Sequence, residues 1–143
     1  MKASMWLRAL AVVMLLFAAG HTLGTASPKV TRGPLEAALF AAMQGYRFPV
    51  MGFERSHWDF YRGFAQTISV WMVVVAVIAW QVARVGRRHA GEALPLAVTL
   101  LVGCVGQLLL ATRFFFALPM VFAAATVGCG GMAVVLLRRE ARG

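Results

Sequence analysis

Polar side chains between Glu54 and Ser69 are the residues of this chain whose types and spacing could do chemistry. One set recurs at steps of four and three residues: Arg55, Asp59, Arg62, Gln66 and Ser69. On a helix this spacing places side chains on one face, so the set predicts a continuous polar stripe. Because charged groups facing lipid are costly, we expect the stripe to face the protein interior and line an outward-opening pocket.

Other polar and aromatic residues could reach the same pocket. His57 and Tyr61 form a second stripe beside the first, and His21, Gln107 and Arg113 are expected at a comparable depth on other helices. The predicted ligand-binding residues are His21, Glu36, Arg55, Trp58, Asp59, Tyr61, Arg62, Gln66, Gln107 and Arg113. Ionisable residues inside a membrane segment usually mark a functional site, which is why they are grouped here.

This constellation allows three kinds of function. In the leading interpretation, aromatic rings hold the apolar body of a small lipid-like or amphiphilic molecule while Arg62 and Asp59 bind its polar head. The alternative is a membrane enzyme in which His21 or His57 exchanges protons with a lipid-like substrate. Asp59 or Glu36 would orient the histidine, and Arg62 would stabilise negative charge. The least favoured interpretation is a haem held by His21 and His57.

The enzyme alternative has three candidate catalytic residues, His21, His57 and Asp59. Each residue of the pocket also has a purely structural interpretation. Asp59 could cap its helix, and Arg62 could pair with Asp59 or Glu36. His21 could hydrogen-bond to a loop carbonyl, and Arg113 could extend to lipid headgroups.

The elements that must position these residues are long apolar segments. The chain has 143 residues, of which 61% are hydrophobic, and a mean hydropathy of +0.77. This excess over a soluble domain lies in four long runs, which predict membrane-spanning helices. The predicted spans are residues 6–23, 58–81, 95–115 and 119–137. We therefore expect an all-α integral membrane four-helix bundle, formed as a single domain of residues 1–143.

The first apolar run has two interpretations. Lys2 and Arg8 precede it and small residues follow it, which also describes a secretory signal peptide. We favour a spanning helix, because Trp6 is placed as an interface anchor and an even number of spans makes the charge pattern coherent.

Residues 25–53 are not expected to span the membrane, because proline and glycine recur through them. Within this first outer loop, Pro34 is well placed to begin a short amphipathic helix that ends near Gln44. This helix could lie on the membrane surface or pack against the bundle. Residues 46–53 are predicted to form an apolar loop.

Helix starts and helix contacts can also be predicted. Ser56 and Asp59 form a capping-box variant at the start of the second span. Pro95 is expected in the first turn of the third span, which pairs with the fourth as an antiparallel hairpin.

Small residues in this hairpin predict close helix contact: Gly103, Gly106, Ala124, Gly128, Gly130 and Gly131. Cys104 and Cys129 fall at a similar depth in the two helices. We expect them to be small packing residues rather than a disulfide, because they lie in lipid, away from oxidants.

The net charge of +9 is concentrated at the ends of the apolar runs. This distribution favours membrane lipid as the partner and does not favour nucleic acid. Eight basic residues fall on one side: Lys2, Arg8, Arg84, Arg87, Arg88, Arg138, Arg139 and Arg142. The other six are Lys29, Arg32, Arg47, Arg55, Arg62 and Arg113. The positive-inside rule then predicts a multi-pass inner-membrane protein with both termini cytoplasmic.

The expected partners are membrane lipid and a small amphiphilic ligand, with self-association or a membrane complex as a further possibility. Neither cysteine spacing nor a known ligand pattern indicates a metal site, and no cofactor is expected.

Residues 55–64 read Arg-Ser-His-Trp-Asp-Phe-Tyr-Arg-Gly-Phe. This segment resembles the R-S-x-W-D-F-Y-x-G-F signature of a family of small four-span bacterial membrane proteins. The Gly20-His21 pair at the end of the first span is similar to that family as well. The similarity in layout extends over the whole chain, whereas specific identity is confined to the one motif. The resemblance implies a four-helix fold that retains the first span, and it implies no activity.

Overall fold

The computed structural model describes residues 2–27 and 30–142. Its elements are α1 (Ala3–Ala26), α2 (Pro34–Gly45), β1 (Arg47–Val50), β2 (Phe53–Ser56), α3 (His57–Gly86), α4 (Ala90–Phe114) and α5 (Ala117–Glu140). Four helices, α1, α3, α4 and α5, are long and apolar enough to cross a membrane. The protein is therefore an all-α multi-pass membrane bundle with a short helix between its first two spans, which confirms the predicted fold class.

The spanning helices extend beyond most of the predicted limits of the apolar runs, and α3 is the longest of them. It contains 30 residues, which corresponds to a rise of about 45 Å, whereas a bilayer core is about 30 Å thick. Roughly ten of its residues are therefore in excess of what the core requires. The polar first turns of α3 can lie outside the hydrocarbon region for this reason.

The start of α3 confirms the predicted capping box. The backbone N–H of Ser56 donates to Asp59 Oδ2 at 2.9 Å, and the N–H of Asp59 donates to Ser56 Oγ at 3.2 Å. These reciprocal bonds satisfy two backbone donors that a helix start otherwise leaves free. The carboxylate of Asp59 thus has a structural role.

The expectation that Pro95 begins the third span is wrong. Helix α4 starts at Ala90, and its first turn is marked by the N–H of Ala93 donating to the carbonyl of His89 at 3.1 Å. Pro95 is the sixth residue of the helix. At this position proline removes the bond that its N–H would donate to the carbonyl of Gly91, and the helix nevertheless continues through it to Phe114.

The chain divides into two compact units, and each is described by itself. The bundle unit comprises Met1–Ala18 and Trp71–Gly143, and the hairpin unit comprises Ala19–Val70. Helices α1 and α3 contribute to both. The prediction of a single domain over residues 1–143 stays a prediction.

The bundle unit is held by two clusters of buried apolar side chains. The first joins one end of all four spanning helices: Ala3, Leu7, Val82, Ala83, Ala93, Ala97, Ala133, Val134 and Leu137. The second contains Leu10, Ala11, Met14, Phe17, Ala18, Met72, Ala76, Ala79 and Cys104. Phe17 stacks on Phe122 with ring centroids 5.0 Å apart, and Cys129 packs against the second cluster. Both cysteines are therefore packing residues, as expected.

Close helix contact through small residues is confirmed at Gly130 and is wrong at the other positions. A Cβ atom at Gly130 would lie 3.3 Å from Leu101 Cδ1 and 3.4 Å from Leu10 Cδ1. Among the described residues, nothing outside its own helix lies within 4 Å of such an atom at Gly103, Gly106, Gly128 or Gly131. Ala124 and Gly128 are exposed, because they lie opposite the buried face of α5.

The hairpin unit contains a two-stranded antiparallel sheet where an irregular apolar loop was expected. Strands β1 and β2 pair from Arg47 opposite Ser56 to Val50 opposite Phe53. Met51 and Gly52 form the turn with φ values of 48° and 88°, and two positive φ values are the feature of a type I′ turn. Such a turn usually has the sequence Asn-Gly or Asp-Gly, so Met51-Gly52 did not predict the turn.

Helix α2 begins at Pro34, as predicted, and ends at Gly45. Its half-buried positions are Glu36, Phe40 and Met43, whereas Leu35 is 86% exposed. The helix therefore packs Phe40 and Met43, with Glu36, against its own unit and leaves the apolar side chains of Leu35 and Leu39 exposed.

Candidate functional site

A hydrogen-bonded group joins α1 to α3 inside the hairpin unit. His21 Nδ1 and Ser69 Oγ are 3.0 Å apart, and Thr22 Oγ1 donates to Ser69 Oγ at 2.9 Å. Ser69 is buried, and His21 is half-buried. The structural alternative of a loop carbonyl as the partner of His21 is wrong, because its partner is a hydroxyl on a neighbouring helix.

The predicted polar stripe does not face the interior along its whole length. Arg55 lies on β2, before the helix begins, and Asp59, Arg62 and Gln66 are exposed. Only Ser69 of the set is buried. The expectation of a wholly inward stripe is therefore wrong. The first turns of α3 exceed the bilayer core, so their polar groups can be hydrated or bind headgroups and need no burial.

Among the described residues of this region, no arginine lies within ion-pair distance of a carboxylate. Asp59 caps α3, and Glu36 Oε2 accepts the backbone N–H of Arg32. Among the described residues, Arg62 has no carboxylate within ion-pair distance. The side chain of Arg62 is also exposed.

Aromatic rings cover both sides of the start of α3. Trp58 contacts Phe40 of α2 edge to face at 5.6 Å, and Trp58 stacks on Tyr61 at 5.2 Å. On the other side, the ring of Phe48 lies 4.9 Å from His57 and 6.0 Å from Phe60. The ring contact between Phe40 and Trp58 joins α2 to α3.

An open cavity of about 490 Å³ lies beside this contact. It is lined by Thr25, Ala26, Ser27, Thr31, Ala37, Phe40, Ala41, Gln44, Trp58 and Arg62. Aromatic and alanine side chains form its apolar part, and hydroxyls, an amide and a guanidinium form its polar part. The cavity thus combines an apolar wall with an arginine that has no carboxylate within ion-pair distance among the described residues.

Of the predicted ligand-binding residues, the cavity includes Trp58 and Arg62. His21, Glu36, Arg55, Asp59, Tyr61 and Gln66 belong to the same unit but do not line it. Gln107, half-buried, and Arg113, exposed, lie on α4 in the bundle unit. Sequence reasoning missed Phe40 and Gln44 as residues that line the cavity, although their four-residue spacing on α2 was a usable signal.

The spacing along α3 separates the predicted catalytic and haem residues. Ser69, the hydrogen-bond partner of His21, lies ten residues beyond Asp59, which is about 15 Å along the helix. The distance along the helix from His57 to Ser69 is about 18 Å. Two axial haem ligands must approach one iron atom, so this separation argues against a haem between His21 and His57. It also argues against Asp59 orienting His21.

In comparisons with protein-family models, curated proteins and solved structures, no match was found. The similarity of residues 55–64 to the four-span family stays a prediction.

Proposed function

We propose that the protein binds a small lipid-like or amphiphilic molecule in the cavity of the hairpin unit. The observation that carries this proposal is the lining, in which an aromatic contact lies beside an arginine without a carboxylate partner among the described residues. Amphiphiles need both kinds of surface, and ligand pockets are typically apolar with few polar groups.

The lining favours a molecule whose polar head carries a negative charge. Arginine binds carboxylate and phosphate through two parallel hydrogen bonds, so Arg62 suits either group. Gln44 and Thr31 add neutral hydrogen-bonding groups near the head. Phe40 and Trp58 would contact the apolar body, and the volume of about 490 Å³ is typical of small-molecule pockets.

The location of the protein in an inner membrane, with both termini cytoplasmic, is part of the proposal. It is supported by the eight basic residues that lie at one side of the four spans. The region that contains Arg32, Arg47, Arg55 and Arg62 would then face away from the cytoplasm. The cavity would take up its ligand from the outer leaflet or from the space beyond it.

The hydrogen bond of His21 changes the residues that the enzyme alternative would use. The partner of His21 is the Ser69 hydroxyl at 3.0 Å, so acid–base chemistry would use a His–Ser pair instead of a His–Asp pair. Turnover of a lipid ester that is lost in Ser69→Ala, with ligand affinity retained, would favour the enzyme over the binding protein.

The binding proposal is tested with the full-length protein in detergent, using a fluorescent long-chain fatty acid as the probe. Arg62→Gln should weaken binding about tenfold, because it removes a charge-assisted hydrogen bond of roughly 1.5 kcal/mol. Arg47→Gln is the matched control, since Arg47 is exposed on the hairpin and does not line the cavity. Equal affinities for the wild type and Arg62→Gln would contradict the proposal.

A further inference from the structure

One end of the bundle unit carries most of the positive charge of the chain. We call it the basic end, defined by Lys2, Arg8, Arg84, Arg87, Arg88, Arg138, Arg139 and Arg142. The first apolar cluster brings these segments together: Leu7 precedes Arg8, Ala83 precedes Arg84, and Leu137 precedes Arg138. All but Arg8 are exposed.

The two acidic residues of the basic end do not neutralise it. Glu140 Oε1 accepts the backbone N–H of Ala3 at 3.0 Å, and Glu92 lies 3.9 Å from His89. Within the described residues, neither carboxylate is in ion-pair distance of an arginine or lysine. Eight basic and two acidic residues leave a net charge of +6 at this end.

Arg8 differs from the other basic residues in its surroundings. It is half-buried, its guanidinium lies 5.3 Å from the centre of the Trp80 ring, and its Nε atom is buried without an acceptor among the described residues. The indole Nε1 of Trp6 is also buried without an acceptor there. The ring of Trp80 helps to fix the guanidinium, because arginine is attracted to aromatic faces.

The positions of Arg8 and Trp80 along their helices favour a membrane lipid over a soluble anion as the ligand of the basic end. Arg8 lies five residues inside the start of α1 and Trp80 lies six residues inside the end of α3, or about 8 and 9 Å along their helices. Tryptophan near the end of a spanning helix typically lies at the level of the lipid headgroups, so the contact with Trp80 favours the same level for Arg8.

We propose that the basic end binds the headgroup of an anionic phospholipid, with Arg8 as the residue that contacts its phosphate. The planar guanidinium provides paired donors for phosphate oxygens, and the exposed arginines around it supply additional attraction. This site is separate from the cavity of the hairpin unit and does not depend on its function.

The test uses full-length protein reconstituted in nanodiscs of phosphatidylcholine containing a minority of phosphatidylglycerol. After mild detergent extraction, native mass spectrometry gives the ratio of the two lipids retained by the protein. The wild type should be enriched in phosphatidylglycerol, and Arg8→Gln should lower this enrichment about fivefold. Arg47→Gln, which removes the same charge from the hairpin unit, should leave it unchanged.

Two further variants distinguish binding at a defined site from general electrostatic attraction to the basic end. Arg87→Gln removes an exposed charge at the same end, and its effect should be less than half that of Arg8→Gln. Equal losses in the two variants, or undiminished enrichment in Arg8→Gln, would overturn the proposal. If Arg8→Gln fails to fold, Trp80→Leu replaces it and should also lower the enrichment. Excess inorganic phosphate at constant ionic strength should not displace the lipid, and displacement would overturn the assignment to a phospholipid.

Discussion

The two units of the chain are stabilised in different ways. In the bundle unit, four helices meet through two clusters of buried alanine, leucine and larger apolar side chains. In the hairpin unit, Ser56, Ala65 and Ser69 are the only fully buried residues among those described. Capping bonds, a tight turn and ring contacts hold that unit instead. The comparison indicates that burial of apolar side chains stabilises the bundle unit, whereas local hydrogen bonds and ring contacts stabilise the hairpin unit.

The largest expected effect tests close packing in the bundle unit. Gly130→Leu should destabilise the protein by about 3 kcal/mol, because even a Cβ atom there approaches Leu101 and Leu10 closely. Gly128→Leu is the matched control, since its Cβ would meet nothing within 4 Å outside its own helix among the described residues. Unfolding by sodium dodecyl sulfate measures the stability of both variants. Similar stabilities for the two variants would mean that the helices are not closely packed at Gly130.

An intermediate effect tests local hydrogen bonding in the hairpin unit. Ser56→Ala should cost about 1 kcal/mol, because it leaves the N–H of Asp59 without its side-chain acceptor. The loss should appear as faster amide hydrogen exchange in the first turn of α3, with the bundle unit unchanged. Thr67→Ala is the control, since its hydroxyl only bonds to the Gly63 carbonyl four residues earlier. If exchange also accelerates throughout the bundle unit, the two units are not independently stabilised.

The smallest effect concerns the turn of the hairpin. Met51→Asn should stabilise the hairpin unit by roughly 0.5 kcal/mol, because asparagine tolerates the positive φ of 48° better than methionine. Met51→Val should do the opposite, since a β-branched residue is strained there. Hydrogen exchange of β1 and β2 during thermal unfolding would show whether each variant is more or less stable than the wild type. A destabilised Met51→Asn variant would contradict the assigned turn.

Local signals accounted for most of the fold. Four long apolar runs predicted the spans, because bilayer thickness sets a minimum helix length. Ser56 and Asp59 predicted the start of α3, because capping depends on residues close in sequence. Pro34 similarly marked the start of α2. The hairpin was missed, since Met51-Gly52 lacks the residues that usually favour its turn.

Non-local contacts explain why the site was only partly predicted. Periodicity showed which residues of α3 share a face, but the direction of that face is set by Ala65 and Ser69, which are buried against other elements. The cavity depends on α2 meeting α3 through Phe40 and Trp58, which are distant in sequence. Arg62 was predicted from the polar stripe and Trp58 as a neighbouring aromatic residue, whereas Phe40 required knowledge of that contact.

The length of α3 has a consequence for the host membrane. A helix of 30 residues exceeds an average hydrocarbon core by about 15 Å, so the level at which its polar first turns lie depends on the thickness of the bilayer. In a thicker, sterol-rich bilayer, Arg62 would sit nearer the acyl chains than in a thin one. Bilayer thickness would then tune how strongly that arginine attracts an anion, since a drier environment strengthens electrostatic attraction.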